Sequence, residues 1–325
     1  MIYNKIQAIY IMNKWGLERI PFLFIIDFEM ERIRLFRTDE KLPASIRFST
    51  PTYINEGNDS SLAPIFKFKK YPIGFPEYSK AFGEVKRQIL LGNSFLVNLT
   101  FPTRIDTDLA LSSIFEKCQA KYKLLVDNEF VVFSPESFVS IKDGQISSFP
   151  MKGTIKASVP DAEHKILTNE KETAEHHTIV DLIRNDLSIV ATDVSVKRFR
   201  YVEKITTHEG DILQVSSEIV GKLPENYYNR LGDILFKLLP AGSVTGAPKK
   251  KTLEIINAVE GSPRDYYTGV FGHFDGCNLE SAVMIRFIEN KNGQLWFRSG
   301  GGITCNSIAE EEYQELLDKV YVPIV

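Results

Sequence analysis

Four glutamates are spaced as two pairs suited to holding a hard cation. Glu172 and Glu175 lie three residues apart in a stretch with helical spacing, as do Glu312 and Glu315 near the end of the chain. Side chains at i and i+3 of a helix project from one face, so two such faces brought together present four carboxylates. Oxygen-only ligation suits magnesium, which keeps several waters and takes few direct protein ligands. From either pair alone the ordinary reading is solvated helix surface. Against it, on the first helix, stands the polar density of His176, His177, Asp181, Arg184, Asn185 and Asp186 among Ile179, Val180, Leu182 and Ile183. The two histidines do not fit the H-E-x-x-H spacing of a zinc protease.

Three further features are suited to an anion. Residues 240–249 combine a flexible turn, a hydroxyl able to cap a helix in Thr245, and Pro248 near a helix start. A helix N-terminus of that kind binds a carboxylate through its free N–H groups, although the P-loop spacing is absent. Gly300, Gly301 and Gly302 follow a strand-like run and would let backbone amides approach a ligand closely. Either segment is equally readable as a tight turn. Arg286 sits in the apolar run 282–288, where an unpaired guanidinium is costly to bury. It needs a structural carboxylate or a bidentate grip on a substrate carboxylate.

The elements that must position these groups read as α+β. Residues 22–36 predict two strands about Glu29-Met30-Glu31. Residues 130–141 and 145–149 flank Asp143-Gly144 as a hairpin. Residues 270–274, 279–288 and 294–298, joined by Asp275-Gly276 and Asn292-Gly293, predict a three-stranded meander. Helices are predicted over 170–187, 228–239, 248–259 and 308–320. The polar stretch 55–61 reads as a linker or long loop, with a boundary near residue 68 between a short β-rich N-terminal region (1–68) and a catalytic domain (69–325).

Composition narrows the classes. The chain has 325 residues, 43% hydrophobic and 25% charged, with a formal charge of −3, which fits a globular protein with a large core. Its one dense basic run, Lys249-Lys250-Lys251, is too short to track a phosphate backbone, so no nucleic acid partner is expected. No apolar run approaches the roughly 20 residues of a membrane span, and the start lacks signal-peptide order, so a cytoplasmic location is expected. Cys118, Cys277 and Cys305 suggest neither disulfides nor zinc and read as packing residues.

Taken in order, several motifs resemble the chorismate-binding enzymes, which include aminodeoxychorismate, anthranilate, isochorismate and salicylate synthases. They are Ser134-Pro135-Glu136, Pro150-Met151-Lys152-Gly153-Thr154, AEHHTIVDLIRND from Ala174, GSVTGAPK from Gly242, YTGVFG from Tyr267, IRF from Ile285, GGGI from Gly300 and EEYQE from Glu311. The resemblance covers roughly residues 75 to 325 and implies two orthogonally packed antiparallel sheets flanked by helices. It implies Glu175 and Glu315 as direct magnesium ligands, with Glu172 and Glu312 acting through water. It places the ring carboxylate of chorismate against magnesium and the Gly153-Thr154 turn, with Thr245 and Gly246 near the ring. The enolpyruvyl carboxylate would meet Tyr267, Arg286 and the Gly300-Gly301-Gly302 amides, that of Gly302 above all.

Within the family, Glu136 matches the general acid that protonates the departing C4 hydroxyl. Lys152 matches members that aminate C4: its amine attacks C2 as C4–OH leaves, and ammonia then attacks C4 and expels the lysine. That amine must be neutral, whereas an ordinary lysine titrates near ~10.4. Burial and a nearby metal are expected to depress Lys152. Two positions depart from the family pattern. Leu96 stands where aminating members carry glutamine and isochorismate synthases a water-activating lysine, and Gln214 stands where relatives carry a histidine. The resemblance further implies ammonia from a separate glutamine amidotransferase subunit, since no glutaminase segment is recognisable, and a downstream aminodeoxychorismate lyase. The short N-terminal region leads us to expect no tryptophan feedback. The alternatives are anthranilate synthase component I and, from another class, a non-catalytic chorismate-binding regulatory protein.

Overall fold

Phe22–Ile26 is an unbroken apolar run, and every residue in it is buried, as a strand covered on both faces requires. This computed structural model describes residues 1–55, 66–207 and 210–324, the side chains of 171, 205–207 and 210 excepted. Among the described residues the strands form two antiparallel sheets. The first has ten strands in the order Ile2–Tyr3, Ile33–Arg37, Phe22–Ile26, Val270–Phe274, Leu279–Val283, Ser137–Lys142, Gln145–Ser148, Gly210–Lys222 and Met151–Lys156, with Thr192–Thr207 also paired to Gly210–Lys222. The second has nine: Gly246–Ala247, Leu96–Thr107, Gln294–Ile303, Phe287–Lys291, Phe130–Ser134, Tyr122–Val126, Ile46–Thr50 and Tyr53–Ile54, with Phe68–Tyr71 paired to Leu96–Thr107.

Alternation along the strands sorts the core into layers. Leu23, Ile25, Phe271 and Ala282 of the first sheet meet Phe48, Leu124, Phe130 and Phe287 of the second. On the other face of the first sheet, Phe22, Phe24 and Ile26 pack with the helices Lys5–Leu17, Glu170–Ser188 and Leu231–Leu238. The second sheet is covered by Phe75–Leu90, Lys249–Glu260 and Ala309–Asp318, through Tyr78, Phe82, Ile255 and Leu316. The architecture is therefore α+β, two antiparallel sheets flanked by helices, as expected.

The two long predicted strands are each broken, and the break is informative. Residues 130–141 divide into Phe130–Ser134 in the second sheet and Ser137–Lys142 in the first. Residues 279–288 divide into Leu279–Val283 in the first and Phe287–Lys291 in the second, so the expected meander is two hairpins in different sheets. Pro135 has no N–H to give a ladder, and Arg286 has φ +52°, in the left-handed region. The two runs bend together and cross from sheet to sheet side by side.

Other differences are local. Tyr227–Arg230 is a 3₁₀ turn before the helix that begins at Leu231. The helix Lys5–Leu17 lies in a region read only as strands; its apolar residues are spread around the axis, with Ile6, Tyr10 and Leu17 exposed and Ala8 and Met12 buried. Asn4 and Gln7 close a capping box at its start. With the division expected at residue 68, the strands on its N-terminal side are hydrogen-bonded into both sheets. Of the expected loop, residues 56–61 lie outside the described residues. Cys118 is buried, but Cys277 and Cys305 are exposed and so are not packing residues. Among the described residues no helix is long and apolar enough to cross a membrane.

One buried ion pair ties the loop after Leu238 to the second sheet. Arg264, 1% exposed, holds Glu260 at 2.6 Å and donates to the carbonyls of Val244 (2.7 Å) and Asn98 (2.6 Å). Glu260 also accepts from the Thr100 amide. Glu260→Ala leaves the guanidinium buried without its carboxylate and is expected to cost about 3–5 kcal/mol in urea unfolding. Adding Arg264→Met should restore part of that loss.

Candidate active site

Where the paired strands cross between sheets, Val283 N donates to Glu136 O (3.2 Å) and Phe133 N donates to Arg286 O (3.1 Å). Glu136 thus faces Val283 and Arg286 faces Phe133 across the bend, and the Arg286 charge is near enough to act on the Glu136 carboxyl. The Glu136 carboxyl accepts a short 2.5 Å hydrogen bond from Ser243 Oγ. It keeps some exposed surface yet is densely surrounded by protein, and this burial pushes its pKa up against the opposing pull of Ser243, Lys152, Arg286 and Lys319. Arg286 Nε is buried with no hydrogen-bond partner among the described residues. An orphaned guanidinium donor of that kind is suited to an incoming anion.

Lys152 lies on the strand Met151–Lys156 and pairs with Glu175 Oε2 at 2.9 Å. Glycines make the room around it. A Cβ on Gly302 would stand 3.6 Å from Lys152 Nζ and 3.0 Å from Leu96 Cδ1, so Leu96 lines the same pocket. A Cβ on Gly153, whose φ is +83°, would meet Glu172 Oε2 at 3.2 Å. One on Gly301 would meet Glu312 Oε2 at 3.3 Å and Glu315 Oε1 at 3.6 Å. The helices carrying the two glutamate pairs therefore converge on one site from opposite sides. Among the described residues no three acidic, histidine or cysteine side chains already stand together as a metal-holding cluster. The carboxylates surround a positive charge instead, that of Lys152, and all-oxygen donors beside glycine clefts fit a hard cation.

The expected depression of Lys152 rested on burial together with a nearby metal. Burial does act to lower its pKa, but Glu175, Glu315 and Glu172 outweigh burial and leave it raised. Lys319, which the sequence reading missed, shares the site: it pairs with Glu315 at 2.5 Å and donates to Gly300 O at 2.8 Å. Burial, aided by Arg286 and Lys152, lowers its pKa despite Glu315. Its signal was its place one helical turn after Glu315.

The other expected site residues make the following contacts. Thr245 does not cap the following helix, which begins after Pro248 without a side-chain cap; its buried hydroxyl donates to Ala241 O at 2.8 Å. Gly246, at φ +125°, presses its backbone against Leu96 O, where a Cβ would stand only 1.9 Å away. Gly300 packs in the same way on Leu99 O. Tyr267 is buried, its hydroxyl pushed up to about 12 chiefly by that burial, with Arg286 among the charges near it. Thr154 is exposed on its strand, in register with Gln214, whose amide meets Met151 Sδ beside Lys152.

Residues 47–324 match the family described as chorismate binding enzyme. The chain belongs to that family. A PabA-like protein of Haemophilus influenzae is 51% identical over 312 residues, 96% of this chain and 95% of its own length. Component 1 of aminodeoxychorismate synthase from Salmonella typhimurium is 32% identical over 259 residues, 75% of this chain but only 56% of that protein. The fold is that of anthranilate synthase component I from Streptococcus pneumoniae, with a TM-score of 0.69 at 20% identity over 94% of this chain and 84% of that one.

The raised Glu136 pKa fixes a sign for stability. The folded state binds this proton more tightly than the unfolded chain, so the contribution of Glu136 to stability is full below the ordinary carboxylate value of about 4.3 and is lost as pH rises through the folded value. Urea titrations across that range should show a smaller pH-dependent loss in Glu136→Gln than in the wild type. An equal loss in both proteins would contradict the shift.

Proposed function

We propose that the chain is the chorismate-aminating component of an aminodeoxychorismate synthase, converting chorismate and ammonia to 4-amino-4-deoxychorismate. The observation that carries this reading is the joint placement at one site of a lysine amine, Lys152, and a carboxyl whose hold on its proton is strengthened by the protein packed around it, Glu136. Binding alone needs neither a nucleophile nor an acid.

Arg286 and Lys319 supply fixed positive charge for one of the two substrate carboxylates, with the Gly302 amide and Tyr267 beside them. The other carboxylate faces the Gly153 turn. Magnesium would be held by Glu175 and Glu315, with Glu172 and Glu312 around it; when bound it would neutralise those carboxylates and anchor the ring carboxylate. Burial acts to lower the Lys152 pKa and would favour the neutral amine once the neighbouring glutamates were neutralised. The Lys152 amine then forms a bond to C2 while Glu136 gives its proton to the C4 oxygen, which leaves as water as the ring double bonds shift. Ammonia next forms a bond to C4, the double bonds shift back, and the C2–N bond to Lys152 breaks.

Ammonia is taken from a separate glutamine amidotransferase subunit, the product passes to a separate lyase that yields p-aminobenzoate for folate synthesis, and the enzyme works in the cytoplasm. Leu96 beside Lys152 supplies an apolar wall and no group to activate water at C2.

The protein incubated with chorismate, ammonium and magnesium is expected to give a product that becomes p-aminobenzoate only after a lyase is added. Glu136→Gln should lower kcat about 10²–10⁴-fold. Anthranilate fluorescence without lyase would replace this reading by anthranilate synthesis, and saturable chorismate binding with no turnover would favour a regulatory protein.

A further inference from the structure

A second acidic group lies behind Glu136, away from the cluster of glutamates. A small cavity is lined by Glu136, Ser243, Ser148 and Asp186, among others, with about 20 Å³ of water-accessible space. That is room for about one water, and the lining offers the polar partners a buried water requires. Asp186 is 8% exposed and pairs with Lys249 at 2.8 Å, and Lys249 in turn keeps a fifth of its side chain in solvent. Gly242 is the point of contact: a Cβ there would lie 2.9 Å from Asp186 Oδ2, so glycine lets the carboxylate rest on the turn that carries Ser243. Ser243 already donates to Glu136.

Resting on the reading that Glu136 protonates the leaving hydroxyl, we propose that Asp186 and Lys249 return a proton to Glu136 through Ser243 and one water in this cavity. The need follows from the proton balance. When the C4 hydroxyl departs as water and the entering nitrogen remains as ammonium, Glu136 is left as a carboxylate, one proton short. Bound substrate covers its open side. On the side of this pocket, Ser243 Oγ passes its proton to Glu136 and takes one from the water. The water takes one from Asp186, which takes one from the Lys249 ammonium, and bulk solvent restores the last.

Burial raises the Asp186 pKa against the pull of Lys249, which suits it to carrying a proton in passing. The other charged groups facing Glu136 are less suited. Lys152 is the nucleophile, Lys319 is tied to Glu315 and Gly300 O, and the guanidinium of Arg286 does not release its proton. Asp186 touches no reacting atom; it is a positioning residue that acts through Glu136.

The test separates the first turnover from later ones by rapid quench with chorismate, ammonium and magnesium. In Asp186→Asn the first turnover starts with Glu136 already protonated and should stay within about twofold of wild type, whereas steady-state turnover should fall about 10²-fold. Formate should restore part of the steady-state rate in Asp186→Ala. Lys249→Met, which keeps the carboxylate, should show the same split if Asp186→Asn does not fold. Equal losses in both phases, or no loss in either, would overturn the relay. If the wild type makes a product other than 4-amino-4-deoxychorismate, the C4 reading fails, but the split is still read on any product that has lost the C4 hydroxyl.

Discussion

Two hydrogen bonds at the crossing, Val283 N to Glu136 O and Phe133 N to Arg286 O, hold a strand pair together while it leaves one sheet for the other. Antiparallel sheets packed face to face often share strands through such bends. Here the bend does more than turn a corner. Pro135 interrupts one ladder and the left-handed Arg286 interrupts the other, so an acid and a guanidinium on neighbouring strands come within electrostatic reach of each other. The Leu96–Thr107 and Gln294–Ile303 strands then bring Leu96 and the triple glycine beside them, and the Met151–Lys156 strand brings Lys152.

Charge at the site is set by what surrounds each group rather than by its type. Glu136 sits among cations, yet burial prevails and raises its pKa. Lys152 is also buried, yet three glutamates prevail and raise its pKa too. The difference lies in partners: the Glu136 carboxyl accepts from a neutral serine, while Lys152 has a direct ion pair. Whatever neutralises the glutamates therefore acts on Lys152 more than on Glu136. Gly153, Gly301 and Gly302 matter because a side chain at any of them would occupy the space into which the carboxylates and the amine point.

Much of this was legible in the sequence. Strand and helix periodicity gave the hairpin at Asp143-Gly144 and the Glu170–Ser188 helix almost to the residue. Helical spacing singled out the four glutamates and motif resemblance Glu136 and Lys152, and the fold brings Glu172, Glu175 and Glu315 close enough to act on Lys152, with Glu312 beside Gly301. The sheet crossing was not legible, because a strand that changes sheets keeps its alternation and still reads as one run. The Lys5–Leu17 helix was hidden by apolar residues on several faces. The role of Thr245 was misread because a hydroxyl before a helix can also turn back to its own backbone. The sign of the Lys152 shift depended on tertiary neighbours that spacing does not reveal.

C4 amination by this route requires that Lys152 form a bond to the substrate. Intact-mass spectrometry of the protein with chorismate and magnesium, without ammonia, followed by peptide mapping, tests it most directly. A substrate-derived adduct is expected on the peptide that contains Lys152, discharged when ammonium is added and absent in Lys152→Ala. Ammonia-dependent turnover that persists in Lys152→Ala at the wild-type rate would contradict it.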